Sequence, residues 1–345
     1  MTRVAVVTSS PPMIEGGHMV IARELTKALC AEGYDAHVLV TPQNRFGRQA
    51  SAYLATWLTD VQSSDGRPID QVISLRYPSY AVRHPRHVCW LNHTMREYYD
   101  LWDRFSATLT PQGRVKERIR RTFIHAADRY LLTRNVTRLV TQSNTIRERL
   151  SMWPDLRASV VYPPAPDRPY RCEEYGDDIL FVSRLTPLKR ADLLIRALAT
   201  TDGRGLRIVV AGDGEAGPTL ETLAREIGVD GRVRFAGRVS ESEMIDLLSR
   251  CRAVCFPPFE EDYGFVTVEA FASRKAVVTC RDSGGPAELV VDGKSGFVSD
   301  PTPQAVARAL RTLAEDKALA ERMGGDALAA GARLTWPETV RQLIL

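Results

Sequence analysis

Two cations and two carboxylates in the second half of the chain are spaced for work on an elongated polar ligand that carries a diphosphate. Arg184 and Lys189 lie five residues apart in Ser183-Arg184-Leu185-Thr186-Pro187-Leu188-Lys189-Arg190, a stretch that opens a helical pattern. A guanidinium supplies a planar fork of donors and an ammonium a compact point charge, so both beside a helix N-terminus suit a diphosphate. Glu261 and Glu269 lie eight residues apart in PPFEEDYGFVTVEAFA. Eight helical residues rise about 12 Å. That is too far for two carboxylates sharing one proton, and it suits two that hold different parts of one elongated polar ligand. Gly264 permits close backbone approach. The N–H groups of Phe265 and Val266 fall where a helix begins, ready for an anion. Blander readings stand beside these: a solvated basic loop for 183–190, a solvated acidic loop for Glu261 next to Glu260 and Asp262, and a helix-surface charge for Glu269.

Other loops add to the set. Ser283-Gly284-Gly285-Pro286-Ala287-Glu288 is a flexible turn after a strand. In the first half, Ser9–Gly17 ends in Gly16-Gly17 immediately before a helix, so backbone amides can face a phosphate. His93, in Trp90-Leu91-Asn92-His93-Thr94, also follows a strand, although a lone His is more often structural than catalytic. Gly212-Asp213-Gly214-Glu215-Ala216-Gly217 has the letters of a dinucleotide fingerprint. It carries two acids where a pyrophosphate would approach and follows the second strand of its domain rather than the first. A tight strand-to-helix turn accounts for those glycines without a ligand.

The elements that must position these residues alternate strand and helix. In the first half, strands are expected at Arg3–Thr8, Ala36–Thr41, Gln71–Leu75, His87–Leu91, Arg138–Gln142 and Ala158–Tyr162. Helices are expected over Met19–Ala31, in the Arg-rich stretch 94–134 and over Thr145–Met152, while 42–68 is polar with weak signals. Four prolines in the seven residues 163–169 cannot sit inside an element and mark a linker. The rhythm restarts with strands at Asp178–Ser183, Leu206–Ala211, Val233–Phe235, Ala253–Phe256 and Ala276–Cys280. Helices fall over Ala191–Ala199, Thr219–Ile227, Glu241–Ser249 and Val266–Ser273. The last 45 residues read as helical with a break near Gly324-Gly325. Such alternation implies doubly wound parallel sheets in both halves, an α/β fold. Ligands bind beyond the carboxyl ends of such strands, where the loops above lie.

The chain has 345 residues, 44% hydrophobic and 26% charged, with a net charge of +4. It is globular and long enough for two domains. Residues 1–170 carry 23 Lys and Arg against 15 Asp and Glu, and residues 171–345 carry 23 against 27, so a basic half (+8) adjoins an acidic one (−4). A basic half favours an anionic partner without naming it. Arg114, Arg118 and Arg121 share one side of a helix. They read either as a solvated face or as a contact for anionic lipid headgroups. Nucleic acid is not an expected partner, since no binding motif accompanies the charge. Six scattered Cys without a CxxC pair read as buried thiols. No apolar run approaches the roughly 18 residues of a membrane span, and MTRVAVVTSSPP reads as a first strand rather than a secretory signal. The expected location is the cytoplasm, with peripheral contact at the inner face of the membrane as a variant.

Taken in order, these residues resemble the retaining family 4 glycosyltransferases. The matching features are Gly16-Gly17 after the first strand, SRLTPLK at 183–189, AGDGE at 211–215, EDYGFVTVE at 261–269 (the family's E-x7-E), EAFASRKAVVTC from Glu269 and GGPAELVVDGKSGFV at 284–298. They run in family order over almost the whole second half. The first half adds its Gly-Gly loop, His93 and HVCWLNHTMREYYDLW. The resemblance implies a GT-B fold: two Rossmann-like domains whose parallel sheets face an interdomain cleft. It implies an acceptor domain over 1–165, a nucleotide-sugar donor domain over 166–335 and a terminal helix over 336–345 crossing back to the first domain. By the same resemblance, Arg184 and Lys189 neutralise the donor diphosphate and Glu269 accepts from ribose hydroxyls. Glu261 orients the sugar with help from the N–H groups of Gly264, Phe265 and Val266. Gly16 and Gly17 approach the diphosphate, and His93 lies near the sugar. The implied reaction is retaining transfer from a UDP- or GDP-linked sugar to a hydroxyl acceptor, lipid-linked or anionic among the candidates, with no cofactor and no obligatory metal. Two alternatives remain: a non-catalytic nucleotide-sugar-binding subunit and a nucleotide-sugar epimerase of the same fold.

Overall fold

Strand β1 (Arg3–Ser10) is an apolar run buried over nearly its whole length in the computed structural model, which describes residues 1–11, 16–43 and 47–345. Helix α1 (Gly17–Ala31) returns over the sheet and buries Ile21, Ala22, Leu25, Ala28 and Leu29, the stripe its spacing predicts. Gly33 (φ +88°) turns the chain into β2 (Asp35–Pro42). Helix α2 (Gln49–Trp57) follows in the stretch that gave weak signals. Its inner face is Gln49, Ala52 and Thr56, so no apolar period marked it. Strands β3 (Gln71–Arg76) and β4 (His87–His93), helices α3 (Trp102–Ala107) and α4 (Pro111–Tyr130), strand β5 (Arg138–Thr141), helix α5 (Asn144–Arg149) and strand β6 (Ala158–Val160) complete a six-stranded sheet. Its order is β2-β1-β3-β4-β5-β6, every pair parallel.

A second six-stranded parallel sheet follows. Its elements are β7 (Asp178–Val182), α6 (Ala191–Leu198), β8 (Arg207–Ala211), α7 (Gly217–Glu226), β9 (Val233–Gly237), α8 (Glu241–Arg250), β10 (Ala253–Cys255), α9 (Phe265–Ala272), β11 (Val277–Cys280), α10 (Gly285–Leu289) and β12 (Gly296–Ser299). The order β9-β8-β7-β10-β11-β12 reverses between β7 and β10. The loops after those two strands, which carry Arg184, Lys189 and Glu261, therefore leave the sheet at its switch point, where doubly wound sheets bind ligands. Helices α11 (Pro303–Glu315), α12 (Lys317–Gly331) and α13 (Trp336–Leu343) end the chain. The expected helix break at Gly324-Gly325 does not occur: both lie inside α12. A Cβ on Gly324 would stand 2.2 Å from the Arg274 carbonyl oxygen and 2.3 Å from the Tyr175 hydroxyl, so the glycine serves close packing. Strand β12, short and opening on Gly296, lies between the last expected strand and the helical tail, in a stretch to which no element was assigned.

By contact the chain divides into Met1–Pro166 with Thr335–Leu345, and Asp167–Leu334. The C-terminal segment is tied into the first unit. The Trp336 indole donates to the Ala165 carbonyl at 3.1 Å, and the Gln71 side chain donates to the Leu343 carbonyl at 2.7 Å and accepts from the Leu345 N–H at 2.9 Å. All six cysteines are free thiols. Four are buried as expected, whereas Cys30 is exposed and Cys172 half-buried.

The core of the first unit encloses a carboxylate. Asp128 of α4 accepts from the hydroxyls of Tyr80 and Tyr99 at 2.5 Å each, and from Tyr53. Burial raises its pKa to about 6, against the lowering effect of the three hydroxyls. A carboxyl raised on folding stabilises below its unfolded value near 3.8 and loses that contribution as the pH climbs through about 6. The loss amounts to roughly 3 kcal/mol. The melting temperature of the wild type should therefore fall relative to Asp128→Asn as pH rises from about 4 to 7; a difference that stays constant over this range contradicts the assignment.

Candidate functional site

Three loops at the carboxyl edge of the second sheet are fastened to one another through their backbones. The loop after β7 is held first. Ser183 N–H donates to Ala211 O at 3.1 Å, Leu185 N–H to Asp213 O at 2.7 Å, and Ala216 N–H returns to Leu185 O at 3.0 Å. Gly212 and Gly214 allow this approach. A Cβ at either would fall 1.9 Å from Ser183 O or 2.3 Å from Leu185 O. The Gly-rich turn is thus the seat for the Arg184 loop, which is why its glycines need no ligand. Arg184 itself is exposed, and no carboxylate pairs with it among the described residues.

The loop after β10 is bound to the other two. Phe259 N–H donates to Leu188 O at 2.8 Å, Glu260 N–H to Asp282 O at 2.9 Å and Glu261 N–H to Ser283 O at 3.0 Å, while Gly285 N–H donates back to Glu261 O at 2.9 Å. A Cβ on Gly284 (φ +68°) would stand 2.4 Å from Glu261 O, so the Ser-Gly-Gly turn is the partner strand-edge for Glu261. Within this frame Lys189 Nζ meets Glu261 Oε2 at 2.7 Å and lies 5.5 Å from the centre of the buried Phe256 ring. The structure therefore brings together a cation and a carboxylate that come from different loops.

Helix α9 begins at Gly264, whose φ of +83° and tight fit against Pro286 and Phe256 leave no room for a side chain. The first N–H groups of a helix have no acceptor within it, and here these are the N–H groups of Phe265 and Val266. Glu269, about one helical turn beyond Phe265, is not a surface charge. It is buried, and accepts from Arg168 Nη1 at 2.6 Å and the Tyr170 hydroxyl at 3.1 Å. Burial raises its pKa, opposed mainly by Arg168. Arg168 also meets Glu241 at 2.8 Å. Arg168 lies in the stretch 163–169 read as a linker because of its prolines, and Tyr170, just after it, carried no signal of its own.

Arg190 is a second residue that spacing did not single out. At φ +53° it closes the 183–190 loop and starts α6. Its guanidinium grips Asp282 through Nη1 at 2.8 Å and Nη2 at 2.7 Å, and donates to the carbonyls of Pro257 and Pro258 at 2.6 Å each. One side chain thereby joins all three loops.

The remaining expected residues lie in the first unit. Gly16 and Gly17 stand at the start of α1; the loop before them, 12–15, lies outside the described residues. His93 is half-buried and ends β4. Leu91 and Thr141 are register partners, so Asn92 and Gln142 follow them on neighbouring strands. Asn92 Oδ1, Gln142 Oε1 and Thr94 Oγ1 are buried without a hydrogen-bond partner among the described residues. Buried polar atoms are rarely left so, and an unmet group invites a ligand or water. Only their position after a strand could have pointed to them. Among the described residues no group of three or more His, Cys, Asp or Glu is placed to hold a metal ion.

Arg190→Ala removes four hydrogen bonds and leaves Asp282 unpaired, which should cost roughly 2–4 kcal/mol. Arg190→Lys should recover only part of this, because an ammonium cannot reproduce the fork. Denaturant unfolding checks both; wild-type stability in Arg190→Ala contradicts the role given to this clamp.

Residues 170–328 match the family described as glycosyl transferases group 1. A D-inositol 3-phosphate glycosyltransferase of Corynebacterium glutamicum (strain R) is 35% identical over 175 residues, covering 48% of this chain and 41% of that protein. The likeness thus spans less than half of that relative's length. Sucrose-phosphate synthase from Thermosynechococcus elongatus superposes with a TM-score of 0.78 at 16% identity, over 99% of this chain and 97% of that one. HepE from Anabaena, in complex with UDP and glucose, does so with a TM-score of 0.70 at 16% identity, over 98% and 97%. With the two parallel six-stranded sheets, these likenesses place the chain in the GT-B fold. The match over residues 170–328 makes the second unit a domain of the glycosyl transferases group 1 family.

Proposed function

We propose that the chain is a retaining glycosyltransferase that moves a sugar from a nucleoside-diphosphate sugar to a hydroxyl acceptor. The observation that carries this reading is the Lys189–Glu261 pair at 2.7 Å, held by three interlocked loops at the switch point of the second sheet. A diphosphate entering there takes Lys189 as its counter-ion and finds Arg184 exposed beside it. The N–H groups that open α9 add fixed dipoles for the sugar or phosphate. Glu261, released from Lys189, is free to accept from sugar hydroxyls. Glu269 turns from Arg168 toward the ribose, an exchange of one hydrogen-bond donor for another. Negative charge grows on the diphosphate as the glycosidic bond breaks, and preorganised cations stabilise that state more than the ground state. Two cations supply the neutralisation, so turnover is expected to persist in the presence of EDTA.

The Anabaena neighbour was solved with UDP and glucose, which supports a uridine nucleotide as the first donor to try. The inositol phosphate in the name of the corynebacterial relative, together with the basic first half, supports an anionic acceptor. The unmet polar atoms of Asn92, Thr94 and Gln142 beside His93 support hydroxyl recognition in the first unit. Gly16, Gly17 and His93 keep the roles the resemblance implies, and the donor site proposed here stands on the second unit alone.

Lys189→Ala and Glu261→Ala should each lower turnover by about 10²-fold or more with the fold intact, as loss of a charge-stabilising group does. Full turnover by either variant overturns the site. Donor binding with neither transfer nor donor hydrolysis across an acceptor panel points instead to a binding subunit. Isomerised donor in the absence of acceptor points to an epimerase.

A further inference from the structure

Helix α4 turns an apolar stripe toward solvent. Val115, Ile119, Phe123 and Tyr130 are 60%, 55%, 71% and 58% exposed. At about 100° per residue these four fall within an arc of about 80°. The face that α4 buries carries its two carboxylates. Glu117 accepts from the Tyr98 hydroxyl at 2.7 Å and pairs with Arg120, and Asp128 is enclosed by tyrosines. The helix holds six cations against those two acids, so its outward side is cationic.

The cations that flank the stripe differ from the set the sequence suggested. Arg114 Nε donates to the Ser106 carbonyl at 3.2 Å. Arg121 donates to the Tyr98 carbonyl at 2.7 Å, with its guanidinium 5.0 Å from the Trp102 ring centre. Both are turned back onto their own unit. Lys116 on one flank and Arg118 on the other are exposed, and no carboxylate pairs with either among the described residues. Beside the stripe, between α2 and α4, runs a groove of about 820 Å³ lined by Ala50, Leu54 and Trp57 from one helix and Ile119, Phe123 and Tyr130 from the other. A contiguous apolar strip of this kind on a surface marks an interaction site. Cations on both of its flanks select a partner that is negative at its surface and apolar beneath, which is the layering of an anionic bilayer.

We propose that α4 lies in the headgroup boundary of an anionic lipid bilayer, with Ile119 and Phe123 among the acyl chains, one chain end in the α2–α4 groove, and Lys116 and Arg118 at the lipid phosphates. This contact is independent of the donor site. The test is flotation of the full chain with vesicles of phosphatidylcholine alone or with roughly 30% phosphatidylglycerol. Wild type should float with the anionic vesicles only, and less so in about 0.5 M salt. Ile119→Asp with Phe123→Asp, both at exposed positions, should keep the melting temperature and reduce flotation about tenfold or more. Lys116→Glu with Arg118→Glu should weaken binding in the same assay. The proposal is overturned if wild type does not float with anionic vesicles or if the double aspartate variant floats as well as wild type. It is equally overturned if that variant abolishes a self-association seen without lipid, which would make the stripe a protein interface.

Discussion

The site depends on one ion pair. Lys189 and Glu261 come from loops after different strands, and each side chain is less than one fifth exposed. Such a pair is held where it is only if the backbones beneath it are fixed, because removing one partner strands the other's charge. The fixing is done by short carbonyl contacts that glycines permit: Gly212 and Gly214 under the Arg184 loop, Gly284 against Glu261. Arg190 then spans the three loops with four bonds. The motif letters along the second half are therefore parts of one mechanical unit. The glycines hold backbone, the arginine holds loops, and the two charges of Lys189 and Glu261 face each other across them.

Under the proposed function, this arrangement explains how an acid-rich half can recognise an anion. Its 27 carboxylates outnumber its 23 cations, yet nearly every cation of the site is matched to a carboxylate in the absence of ligand: Lys189 to Glu261, Arg190 to Asp282, Arg168 to Glu269. Arg184 stands apart, exposed and without a carboxylate partner among the described residues. On the proposed reading, anion binding here is a matter of exchange within a few pairs plus helix N-termini, and bulk charge has no part in it. In the first unit the relation is inverted. There the carboxylates of α4 are buried while Lys116 and Arg118 face outward, so bulk charge is available at the surface.

Much of this was legible in the residues. Alternating apolar runs and helical stripes located all but one of the strands of both sheets, since buried parallel strands must be continuous apolar runs. Arg184, Lys189 and Glu261 stood out because they are charged residues in loops that follow buried strands, and Glu269 stood out only through its spacing from Glu261. Helix α2 was not, because it buries Gln49, Ala52 and Thr56 and shows Leu54 to solvent, the reverse of the usual stripe. The Gly324-Gly325 pair misled because helical glycine is costly and the compensating close contact with Arg274 is made across the fold. Arg190 and Arg168 were missed for a related reason. Each works through partners 67 to 101 residues away, and no local period records such a distance.

The central claim is that a nucleoside diphosphate must take Lys189 from Glu261. Calorimetric titration of UDP, or of GDP if that nucleotide stabilises the chain instead, into wild type and Glu261→Gln tests it most directly. With the competing carboxylate neutralised, Lys189 is released, and the account predicts that the variant binds the sugar-free diphosphate about tenfold more tightly. Equal or weaker binding by Glu261→Gln would contradict it.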